Sequence, residues 1–115
     1  MSRYFIVGTN FTKSDEFIKT VASGTPVKLV REPTNKFDPC AVMVWIGDRH
    51  VGYLPKKQNG HISIHIDENG HDYVPPESAI TADSKPPAWR DLPSLRAIDG
   101  TFQVSPNSAF PQVEV

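Results

Sequence analysis

Apolar residues come in short runs in this chain and turn-forming residues cut the runs off, which is the pattern of β-strands rather than of long helices. Arg3-Tyr4-Phe5-Ile6-Val7-Gly8 is aromatic and β-branched and ends in glycine, so residues 3–8 are expected as the first strand. Ser14 to Val21 offers an N-cap serine, acids in the first turn and apolar Phe17, Ile18 and Val21, which fits a short helix or a strand. Pro26 to Arg31 reads as a strand stopped by Glu32-Pro33. Cys40 to Ile46 is almost wholly apolar, and Gly47-Asp48-Arg49 turns it into Val51-Gly52-Tyr53-Leu54, giving a hairpin.

Residues 56–69 carry two patterns at once. Ile62, Ile64 and Ile66 alternate as in a strand, whereas Pro55 and Gly70 stand where helix start and stop signals belong. Beyond Asp72, the pairs Pro75-Pro76 and Pro86-Pro87 predict an extended loop, with one strand around Ala79 to Ala82. Leu95 to Ile98, Thr101 to Val104 and Val113 to Val115 are expected as short edge strands.

Composition narrows the class. At 115 residues the chain fits one domain with one core, and Pro 11 and Gly 7 reinforce a mainly β reading. Cys40 is the only cysteine, so no intrachain disulfide forms and a reducing, cytoplasmic location is expected. No run approaches the ~20 apolar residues that span a bilayer, and the start lacks a secretory pattern. With 12 Lys and Arg against 13 Asp and Glu the net charge is −1, which disfavours a broad cationic face for duplex DNA. A short strand or strand end stays compatible, because local cations and stacking hold it without global charge.

The most informative block is Arg31-Glu32-Pro33-Thr34-Asn35-Lys36-Phe37-Asp38-Pro39-Cys40-Ala41-Val42, followed by Val51-Gly52-Tyr53-Leu54-Pro55-Lys56-Lys57. It resembles the HIRAN domain pattern: arginine-x-proline-x-asparagine-x-aromatic-aspartate, then alanine and a strand, then valine-glycine-x-leucine with lysines and a helix. Val7-Gly8 and Phe11 match the upstream part, and the resemblance is strongest over residues 3–70. It implies a small OB-like or SH3-like β-barrel with one or two short helices. It also implies a helix over 56–69, with Ile62 and Ile66 buried, and a non-enzymatic module that binds single-stranded DNA at the 3′ end. Such modules stand alone or are fused to helicases, so an accessory role in DNA repair, replication or restriction beside a helicase or nuclease is the expected setting.

The residue chemistry can be weighed separately. Phe37 and Phe11 suit base stacking, worth ~1–3 kcal/mol per base. Asp38 beside a nucleic acid repels phosphates unless a hydroxyl donates to it, and a free 3′-OH is such a donor. Lys56 and Lys57, placed by the resemblance at the start of the following helix, would meet phosphates, and Tyr53 would line the same groove. Asn35 is expected to shape the loop. Asn10 stands where the resemblance implies an arginine, which removes a cationic contact, yet its side chain can still hydrogen-bond a base edge or phosphate and it is expected at the DNA-binding site.

Taken alone, Phe37 reads as a loop anchor, Asp38 as a turn former and Lys56-Lys57 as a solvated pair. On that reading, and with a net charge near zero, the rival function is a protein-interaction or regulatory module on the same scaffold. His61, His65 and His71 with Asp67 and Glu68 pose a metal-nuclease reading, but the i, i+4 histidine pair lacks the intervening glutamate of zinc hydrolases, and neither metal nor cofactor is expected. Cys40 is expected as a buried small hydrophobe and Trp45 as core. Trp89 fits either packing or an exposed contact.

Overall fold

The computed structural model describes residues 2–79, 88–104 and 110–115. Among these, seven strands form one curled antiparallel sheet, an OB-like half-barrel with two helices. The strands are β1 (Arg3–Phe5), β2 (Pro26–Arg31), β3 (Val42–Ile46), β4 (Arg49–Tyr53), β5 (His71–Tyr73), β6 (Leu95–Gln103) and β7 (Gln112–Glu114). The helices are α1 (Asp15–Ile18) and α2 (Asn59–Asn69), and a 3-10 turn covers Ala88–Asp91. The sheet order is β1-β7-β6-β2-β3-β4, with β5 paired to β6.

The two ends of that path meet. Just past β1, Val7 exchanges both backbone hydrogen bonds with Tyr53 at the end of β4, at 2.8 and 2.9 Å. This crossing explains the valine-glycine-x-leucine signature physically. A Cβ on Gly52 would sit 2.5 Å from the Val7 carbonyl oxygen and 2.8 Å from Ile6 Cγ2, so only glycine lets the two strands approach.

Both sheet faces are covered. All five residues of β3 are buried, with Val42, Val44 and Ile46 pointing into an inner core and Met43 and Trp45 into an outer one. Such a strand reads as a continuous apolar run, as this sequence does. The inner core is plugged by α2 through Ile62 and Ile66, whereas Ile64 is exposed; the alternation of isoleucines is therefore coincidental and the helix implied by the resemblance is the structure. The outer core is capped by Trp89, which meets Trp45 edge to face at 5.6 Å between centroids. Trp89 is packing.

Several expectations need correction. The first strand stops at Phe5, because Ile6 turns inward and Val7 makes only the bridge to Tyr53. Ser14 to Val21 holds a single helical turn, and the Ser14 hydroxyl does not cap it but bonds with Thr12. The hairpin uses two turn residues, since Arg49 already pairs with Ile46; Gly47, at φ 59, takes the first position of a type II′-like turn. Cys40 lies in the turn before β3 and is half-buried.

The segments 95–98 and 101–104 are not edge strands. They form one strand, β6, with β2 on one side and β5 and β7 on the other. Likewise β7 lies between β1 and β6, and the loop expected from residue 72 begins only after β5. Thin apolar content misled here because Arg96, Asp99 and Gln103 face outward and make polar contacts, Arg96 with Asp72 and Asp99 with Lys28. The strand expected at 79–82 lies outside the described residues apart from Ala79, which is not in a strand.

Candidate nucleic-acid interface

Residues 32–41 leave β2 and return to β3 as a loop whose shape is written in its side chains. The loop is closed at its base by Glu32 N–H donating to the Ala41 carbonyl at 3.0 Å. Arg31, 9% exposed, donates from Nη1 to that same carbonyl at 2.9 Å and from Nε to Asp67 on α2 at 3.1 Å, so it locks loop, sheet and helix together. The motif's asparagine does what its chemistry predicts. Asn35 Oδ1 accepts from the backbone N–H of both Phe37 and Asp38 at 2.9 Å, and Nδ2 donates to Glu32 Oε1 at 2.6 Å.

Asp38 in turn caps the far side. Its Oδ1 accepts from Cys40 N–H at 2.9 Å, and its Oδ2 accepts from Asn59 Nδ2, at the start of α2, at 2.7 Å. The carboxylate is thus fixed by one neutral donor on each oxygen, with lone pairs to spare for a ligand. No ion pair among the described residues neutralises it.

This bonding pushes Phe37 outward, where it is 88% exposed. Phe11, lining the same groove, is 65% exposed, on a turn pinned to the barrel by Thr12 Oγ1 donating to the Val51 carbonyl at 2.7 Å and by Arg49 Nη2 donating to the Lys13 carbonyl at 2.7 Å. Leaving one large aromatic in water is ordinary; two exposed ones lining the same groove mark a contact surface. Phe11, Asn35, Phe37, Asp38, Tyr53 and Lys56 line one open groove of about 500 Å³. Six of the eight residues expected at the site converge there. The other two, Asn10 and Lys57, are exposed and stand beside it, each next in sequence to a lining residue. Lys56 and Lys57 lie in the turn before α2 rather than in its first turn.

The groove also contains Glu32, Thr34 and Lys36, which are not among the residues expected from sequence. Lys36 had a visible signal, a cation between two motif residues. Glu32 had none, since its role depends on Tyr53, twenty-one positions on, whose hydroxyl donates to Glu32 Oε1 at 2.9 Å. Tyr53 is backed by His50 at 4.9 Å, and His50 stacks on Trp45 at 5.5 Å, so an aromatic row ties the groove floor to the outer core.

The histidines go elsewhere. His61 and His65 are exposed on α2 beside Tyr4 and Val115, and Asp67 is engaged by Arg31. Among the described residues no group of three or more His, Cys, Asp or Glu is arranged to hold a metal ion, and no helix is long and apolar enough to cross a membrane.

The groove of this curled OB-like barrel gathers two outward aromatics, a fixed carboxylate and rim lysines, the groups that nucleic-acid-binding modules of this architecture use. The chain belongs to the HIRAN domain family, whose pattern it matches over residues 1–97, well beyond the stretch where the resemblance is legible by eye. HIRAN is a DNA-binding domain, not catalytic by itself. No curated protein and no solved structure gives a significant match to the chain.

Proposed function

We propose that this module grips the 3′-hydroxyl end of single-stranded DNA. The observation that carries the reading is the meeting of Phe11, Phe37, Asp38 and Lys56 in one groove. The two rings stack bases, which is tolerant of sequence because every base has a π face. Asp38 supplies end recognition. An anionic carboxylate facing an internal phosphate is repelled, whereas a terminal hydroxyl donates a charge-assisted hydrogen bond worth about 1.5–3 kcal/mol. Lys36, Lys56 and Lys57 stand at the rim for the phosphates on the 5′ side, and the exposed Asn10 offers a neutral contact where a cation would bind more tightly.

With two or three phosphate contacts, the logarithm of affinity falls against the logarithm of salt with a slope of about −1.4 to −2.1. The deciding experiment titrates short strands that end in a 3′-hydroxyl or a 3′-phosphate. The hydroxyl end is expected to bind at least tenfold tighter, and Asp38→Asn to remove most of that difference; equal affinity for both ends takes Asp38 out of this role. A module of this kind, with no chemistry of its own, serves as an accessory that delivers strand ends to a helicase or nuclease in repair, replication or restriction.

A further inference from the structure

Resting on the single-strand reading above, we infer that the groove selects a terminal base that carries an exocyclic amino group, and that Glu32 is the residue that reads it. The polarity of the groove wall points to this. Glu32 is only 8% exposed, yet it forms part of the groove wall. Among the described residues the side-chain hydrogen bonds it accepts, from Asn35 Nδ2 and from the Tyr53 hydroxyl, fall on Oε1. Oε2 is the oxygen left for a ligand. Among the described residues no ion pair neutralises it, and the guanidinium of its chain neighbour Arg31 bonds to Asp67 and the Ala41 carbonyl instead.

The donors around Glu32 are turned back into the protein. Tyr53 gives its one hydroxyl proton to Glu32 itself, and the N–H groups of Phe37, Asp38 and Cys40 are taken by Asn35 and Asp38 side chains. Beside Glu32 a ligand therefore meets acceptors, while the other donors of the groove, Lys36, Lys56 and the Thr34 hydroxyl, lie on exposed residues. A base held between Phe11 and Phe37 must bring donors of its own. Cytosine, adenine and guanine each carry an amino group that donates to a carboxylate. Thymine presents carbonyl oxygen where cytosine has its amino group, and its one edge donor, the ring N3–H, is flanked by two carbonyl oxygens, so bringing it to Oε2 sets oxygen against the carboxylate.

The test uses six-nucleotide strands, identical except for a 3′-terminal dC, dA, dG or dT, titrated at low salt against the intact chain. Strands with amino-bearing ends are expected to bind about tenfold tighter than the dT end, the factor that one hydrogen bond to a charged group supplies. Replacing terminal guanine by hypoxanthine, which lacks only the 2-amino group, is expected to cost a similar factor and needs no change to the protein. Glu32→Gln keeps an acceptor for Tyr53 and adds an amide donor, so it is expected to bring dT level with the others. Phe37→Ala is expected to weaken all four strands alike. Equal affinity of wild type for all four ends, with 3′-hydroxyl dependence retained, overturns the assignment to Glu32 and leaves end binding standing. Failure of every strand to bind overturns both.

Discussion

Residues 32–41 and 42–46 are consecutive in the chain and opposite in physics. β3 buries every side chain, with one face in each core, and contributes nothing that a ligand can touch. The loop before it leaves Phe37 88% in water and has its turns made by hydrogen bonds from its own side chains. The strand is held by packing, which is non-directional and collective; the loop is held by a few directional bonds whose loss would leave the fold but not the shape. A binding site built this way can change its contacts without touching its foundation.

Variants that attack each region in turn should separate the two. Trp45→Ala removes a fully buried ring that touches Trp89 and His50, and is expected to cost about 3–5 kcal/mol in denaturant unfolding. Gly52→Ala is expected to cost about 1–3 kcal/mol by overpacking, because its Cβ meets the Val7 carbonyl at the strand crossing. It should also weaken DNA binding, since Tyr53 follows directly. Phe37→Ala should do the reverse: unfolding free energy within about 0.5 kcal/mol of wild type, but binding weaker by about 1–3 kcal/mol in an oligonucleotide titration. A large loss of stability in that variant would show that Phe37 is a packing residue and dissolve the contrast.

Asn35→Ala sits between the two classes. It removes the acceptor for two loop N–H groups, so about 1 kcal/mol of stability and a similar share of binding should go together.

The smallest effect concerns acid. Asp99 on β6 has its pKa lowered below 3.8, chiefly by the hydrogen bond from Lys28, with further help from the charges of Lys28 and His71. Its folded pKa lies below its unfolded one, so its contribution is complete above that unfolded value and disappears as pH falls through the folded pKa. Asp99→Asn should therefore flatten the acid limb of a stability curve below about pH 4 while leaving DNA binding at neutral pH unchanged. The pair is exposed, and the effect on stability is slight.

The hairpin, the mainly β class and the site loop were legible in sequence because each rests on local chemistry. An all-apolar run bounded by glycine specifies a doubly buried strand, and an asparagine two and three residues before the groups it bonds specifies a turn. The extent of β6 was hidden, since a strand whose outward residues pair with charged neighbours loses the alternation that marks it. Trp89 was undecidable for a related reason: whether an aromatic in a proline-rich stretch is buried depends on what stands opposite, and that is Trp45, far away in the chain.

What the sequence determined by itself is the set of parts: the Arg31 to Val42 signature, its phenylalanine, its aspartate and the lysines after Tyr53. Only the tertiary structure decided how they meet. It brought Phe11 into the same groove as Phe37, turned Arg31 onto Asp67 and closed the segment after β1 on β4 at Gly52. It also placed Glu32, silent in sequence, in the wall of the groove beneath the Tyr53 hydroxyl. The reason is that local bonding fixes the shape of a loop, while the polarity of a groove is the sum of groups from separate strands whose free and used hydrogen-bonding atoms exist only after the barrel has curled.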